Sequence, residues 1–170
     1  VAEREVRSLT AAVLRGLLGQ LLESSVNYVN APAIARERGI KVIESRAPQT
    51  SDFLNALVVA VRTASRTAGV EGAVFGAGTV RLTKIDGFRM EAVPEGHILM
   101  LHNRDVPGVV GKVGTLLGES GINIAGIELG RERVGGMALS LIHVDGAVQP
   151  EVLERLRTLP QIVSAQLLRL

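Results

Sequence analysis

From His97 to the end of the chain the spacing of apolar side chains alternates between two periods, and the order of the changes leaves few folds open. "HILMLHN" reads as a strand, and Pro107 to Ser120 as a helix that turns Val109, Val113, Leu116 and Leu117 inward. "INIAGIELG" and "MALSLIHV" are strands joined by the turn "RERVGG". Glu151 to Thr158 is a helix, and "IVSAQLLRL" is the closing strand. The predicted order is βαββαβ.

That order is the ferredoxin-like split βαβ, in which both helices cover one sheet face and the strand edges stay available for pairing. The residues before it read differently. Leu14, Leu17, Leu18 and Leu21 fall at i, i+3, i+4 and i+7, which predicts a helix over Thr10 to Leu22. "NAPAIARERG" predicts a second, short helix, with Asn30 as its cap, Pro32 in its first turn and Gly39 as its left-handed stop. Then "IKVIESR", "NALVVAVRT", "GTVRLTKI" and "FRMEAV" alternate as strands, with Asp86–Gly87 as a two-residue hairpin turn. Pro94 and Gly96 punctuate the chain after them. The fold class is therefore α+β: helices with a mostly antiparallel sheet over 1–95, then the ferredoxin-like unit over 96–170.

Composition removes several classes of function. Apolar residues make up 46% of the chain, yet the aromatic ones are only Tyr28, Phe53, Phe75 and Phe88, so no stacking surface for nucleic-acid bases is expected. A formal charge of +2, scattered along the chain, gives no phosphate-binding stripe. With no cysteine there is no disulfide, no thiolate metal site and no cysteine nucleophile; histidines 97, 102 and 143 lack the helical spacing of a zinc site. No apolar run is long enough to span a bilayer and no signal peptide is visible, so a cytoplasmic location with no membrane partner is the expectation.

Two glycine patterns imitate nucleotide sites. "GAGTVR" at Gly76 has Arg81 where a third glycine belongs and a strand where a helix should follow; "GVVGKV" at Gly108 is too short and lacks the metal-binding hydroxyl. No cofactor is expected in this chain. Glycines 108, 111, 114 and 118 recur along one predicted helix, where each interior glycine costs roughly 1 kcal/mol, which implies that something packs closely on that backbone.

Polar residues stand at both ends of the same helix. Unpaired amides after Pro107–Gly108 favour a carboxylate. Asp105 suits an ammonium group, and the amides of Asn103 and Asn123 can donate or accept. Together they would suit a zwitterionic amino acid. The alternative is that Asp105 caps the helix and Asn123 occupies a turn.

Asn103-x-Asp105-x-Pro107-Gly108, with "GKVGTLLGESGINIAGIELGR" and "GGMALSLIHVD", resembles an ACT domain of the D-3-phosphoglycerate dehydrogenase type. "SSVNYVNAPAIARERGI" resembles the intervening domain (an allosteric substrate-binding-like domain) that precedes the ACT domain in the long bacterial forms. The resemblance implies a regulatory fragment that begins inside the intervening domain, without the NAD-binding catalytic part that oxidises 3-phosphoglycerate. It implies L-serine as ligand at a homo-oligomeric ACT–ACT interface, held by Asn103, Asp105, Asn123 and the Gly108 turn, for feedback inhibition of serine biosynthesis. Many relatives carry an aromatic residue or histidine at position 103. It also suggests an anion site at Arg81 and His143. The rival readings are the β chain of an iron–sulfur L-serine dehydratase and a stand-alone amino-acid sensor.

Overall fold

The computed structural model describes residues 6–22, 25–45, 53, 55–76 and 78–170. The chain divides into two compact units, Val1–Val59 and Ala60–Leu170. Among the described residues no helix is long and apolar enough to cross a membrane.

In the first unit, helix α1 (Arg7–Gly19) lays Leu14 and Leu18 on Ala31 and Ala35 of helix α2 (Ala31–Glu37). The two alanines let the α2 backbone approach closely, so four buried residues suffice for a small core. α1 starts three residues earlier than predicted and stops before Leu21, which is exposed. The capping expectation needs correcting. Asn30 makes no side-chain cap on α2. Instead the Asn27 side chain accepts the amides of Val29 and Asn30 at 2.9 Å, and Asn30 Oδ1 accepts the amide of Asn27 at 2.7 Å. That reciprocal exchange is a capping box one turn earlier, and it explains both asparagines of "VNYVNAP". Gly39 has φ +70, the left-handed stop that was expected.

The strand predicted at "IKVIESR" is not a strand over 40–45, and Arg46 lies outside the described residues. Ile40 packs on the α1–α2 core, and with Val42 it lines a groove of about 480 Å³ with Leu14, Pro32 and Arg36. Val42 and Ile43 are exposed, at 45% and 77%, and without a neighbouring ladder β-branched residues alone do not make a strand.

Four strands, β1 (Ala56–Arg62), β2 (Thr67–Phe75), β3 (Thr79–Ile85) and β4 (Phe88–Ala92), form the first sheet in that order. β2 is not among the predicted strands because Gly69 and Gly72 interrupt its pattern; Gly72 sits at a bulge where a Cβ would come within 3.3 Å of the Arg81 carbonyl. The β3–β4 turn is as predicted: Asp86 and Gly87 have φ +47 and +92, both positive as a type I′ hairpin requires. Asp86 stays in this strained region by accepting the Gly69 amide at 2.8 Å and pairing with Arg66.

The second sheet is built from β5 (His97–Arg104), β6 (Ile124–Arg131), β7 (Met137–Val144) and β8 (Ile162–Arg169) in the order β6-β7-β5-β8, with antiparallel neighbours. This is the ferredoxin-like order, and its boundaries follow the sequence reading closely. Helices α3 (Val109–Glu119) and α4 (Pro150–Arg157) bury Val113, Leu117 and Leu156 against Leu99, Leu101 and Ile142. The other face meets the first sheet through Ala92, Ile98 and Leu141, with Leu82, Met90 and Leu168 around them.

Candidate functional site

Helix α3 sets the geometry of the site. Its N-cap is Gly108 at φ +87, a left-handed conformation; a Cβ added there would meet nothing among the described residues within 4 Å, so the backbone angle rather than crowding demands glycine. No side chain caps the helix and its first turn carries no acid, so its leading amides are unpaired by side chains. Asp105 is therefore not the helix cap. Its Oδ2 lies 3.2 Å from Arg131 Nη1 at the end of β6, and its amide donates to the Gly136 carbonyl.

Asn103 is buried at 2% exposure on the helix-covered face of β5. Its Oδ1 accepts the Ser140 hydroxyl at 2.9 Å and its Nδ2 donates to the Arg104 carbonyl. The register across β7 explains the meeting: Leu101 pairs with Ser140 and Asn103 with Ala138, so Ser140 reaches Asn103 diagonally.

Asn123 lies elsewhere. Its Nδ2 donates to Asp145 Oδ2 at 2.6 Å, and its carbonyl accepts the Asp145 amide. Asp145 follows Val144, which pairs with His97, whereas Asn103 pairs with Ala138. Six residues of β7 therefore separate the two asparagines along the sheet, about 20 Å at strand rise. One chain brings Asn103, Gly108 and Asp105 to one end of α3 and leaves Asn123 at the other. Arg131, Ser140 and Asp145, the partners that fix these side chains, do not stand out in the sequence. Only the sheet register reveals them.

Arg81 and His143 do not converge. Leu82 packs toward the second sheet, so its neighbour Arg81 projects from the opposite face of β3. No polar partner of Arg81 is found among the described residues. His143 Nε2 lies 3.3 Å from Glu128 Oε2, without hydrogen-bond geometry and with both atoms buried. A carboxylate, not a second cation, is its neighbour.

Gly76 and Gly78 form the β2–β3 hairpin, with φ +49 and +122 and Phe75 paired to Thr79. A hairpin between antiparallel strands presents no helix N-terminus to a pyrophosphate, so this segment does not fit NAD. Among the described residues no group of three or more histidines or acids is placed to hold a metal ion.

The profile of the D-3-phosphoglycerate dehydrogenase intervening domain matches residues 1–86 of this chain. The chain belongs to that family. An ACT-domain profile matches residues 97–161, which takes in β5, α3, β6, β7 and α4. Similar proteins named D-3-phosphoglycerate dehydrogenase occur in Archaeoglobus fulgidus (37% identity over 97% of this chain), Bacillus subtilis (34% over 100%) and Methanocaldococcus jannaschii (32% over 100%). The chain spans about a third of the length of those relatives, 32% in each case.

Proposed function

We propose that this chain is the regulatory part of a D-3-phosphoglycerate dehydrogenase and that L-serine binds where two copies of its ACT domain meet, lowering the activity of the NAD-dependent catalytic part. The observation that carries this reading is the Asp105–Arg131 contact at the far end of β6 from Asn123. β6 is an edge strand, with Ile127 and Leu129 exposed on it at 42% and 41%. Pairing of β6 with β6 of a second copy about a two-fold axis would be antiparallel. It would bring Asn123 of one copy to Arg131 of the other, and so to Asp105, Gly108 and Asn103. Each half-site would then be completed by its partner.

In that arrangement the α3 amides receive the serine carboxylate, Asp105 receives the ammonium group, and the Asn123 amide of the second copy bonds the hydroxyl, while buried Asn103, held by Ser140 and the Arg104 carbonyl, fixes the strand end behind them. Serine regulates only by binding one domain arrangement more tightly than another, and an interface ligand has that property because half of its contacts vanish when the copies separate. The names of the relatives favour this reading over an L-serine dehydratase β chain.

The test is calorimetric titration of L-serine, with D-serine as control, alongside sedimentation with and without ligand. Saturable L-serine binding coupled to dimer formation is expected. A strictly monomeric chain that gives no heat with L-serine would overturn it.

A further inference from the structure

The second sheet has two free edges, β6 and β8, and they are not alike. The Leu170 amide donates to the Gly96 carbonyl, so residues 96 and 170 form a hydrogen-bonded pair. Such pairs alternate along an antiparallel ladder, and the register runs unbroken from His97↔Arg169 to His102↔Ser164. Leu101↔Ala165 is therefore a non-hydrogen-bonded pair, and the Ala165 carbonyl points away from β5 toward the free edge. It does not point into open water. Arg157, in the last turn of α4, donates to it from Nε at 3.2 Å and from Nη2 at 2.8 Å. The third arm of the guanidinium is held by Glu154.

The same alternation at β6 gives the opposite result. Glu132 donates to the Met137 carbonyl, so Gly130↔Leu139 and Glu128↔Leu141 are the bonded pairs, and the backbone groups of Ile127 and Leu129 face outward. Both residues are exposed.

We infer that Arg157 closes the β8 edge to strand addition, so that the ACT domain associates through one edge only and stops at a closed dimer. A domain with two open edges could add copies indefinitely. The guanidinium occupies the acceptor that an incoming strand would use, and its planar fork fills the space beside the strand. The inference does not depend on serine as the ligand.

Sedimentation velocity over a wide concentration range, on the wild-type chain, Arg157→Ala and Arg157→Lys, tests it. The wild type should reach a plateau in size, whereas Arg157→Ala should keep growing with concentration. A labelled peptide of residues 162–170 should bind Arg157→Ala at least tenfold more tightly than wild type, and a scrambled peptide should bind neither. If Arg157→Ala does not fold, Arg157→Lys, which keeps the stem and a single donor group, should still grow in size and bind the peptide more tightly than wild type. A folded variant with the wild-type plateau and no gain in peptide binding overturns the inference.

Discussion

Gly130 of β6 lies directly against the backbone of Arg89 in β4: a Cβ at position 130 would stand 2.5 Å from the Arg89 carbonyl oxygen and 3.1 Å from Phe88 Cβ. Gly130→Ala cannot be absorbed by a side-chain rotation, because the obstacle is backbone. It should destabilise the chain by about 1–3 kcal/mol, as overpacking does, read as a lower midpoint in urea.

Gly111→Ala should do the reverse. Among the described residues nothing lies within 4 Å of its Cβ position, and an alanine in a helix interior is favoured over glycine by roughly 1 kcal/mol. The close packing inferred from the glycine series is therefore not packing against the described residues of the same chain. If a second copy covers α3, the same substitution should raise the melting temperature while weakening self-association. A stabilised variant with unchanged association would leave the glycine series without a packing role.

Asp105→Asn separates ligand charge from local structure. The Asp105–Arg131 pair is half exposed, with side-chain exposures of 21% and 53%, so losing it should cost less than about 1 kcal/mol of stability. A charge-assisted bond to a serine ammonium group is worth roughly 1.5–3 kcal/mol. Asp105→Asn should thus weaken L-serine binding about ten- to a hundredfold with the melting temperature of the free chain nearly unchanged. An unchanged affinity would leave Asp105 as Arg131's partner and nothing more.

Ser140→Ala and Asn103→Ala should behave as one unit. Removing either partner leaves a buried polar group of the other unpaired, at a cost of about 1–3 kcal/mol. The double substitution should cost clearly less than the sum of the two, and denaturant unfolding of all four proteins measures the coupling. Strict additivity would mean that the 2.9 Å bond is not formed in solution.

Titration with NAD and NADH should give no saturable heat, since the one segment that imitates a dinucleotide loop is a hairpin turn. Micromolar binding would require a phosphate cradle in a different part of the chain.

Local chemistry determined much of this protein. The βαββαβ order, the Asp86–Gly87 hairpin, the Gly39 stop and the inward set Val109, Val113, Leu116 and Leu117 all rest on interactions within a few residues of chain, which a sequence displays directly. β2 is hidden because Gly72 serves a bulge that answers to β3, and 40–45 reads as a strand because β-branched residues favour one, whereas a strand also needs a hydrogen-bonded neighbour. The candidate site divides in the same way. Asn103, Asp105 and Asn123 stand out by residue type beside apolar runs. Their partners Ser140, Arg131 and Asp145 lie 37, 26 and 22 residues away, and only the register of β7 and the return of β6 bring them together. The roughly 20 Å between Asn123 and Asn103 belongs to the tertiary structure alone, because it is set by strands that sequence spacing cannot align.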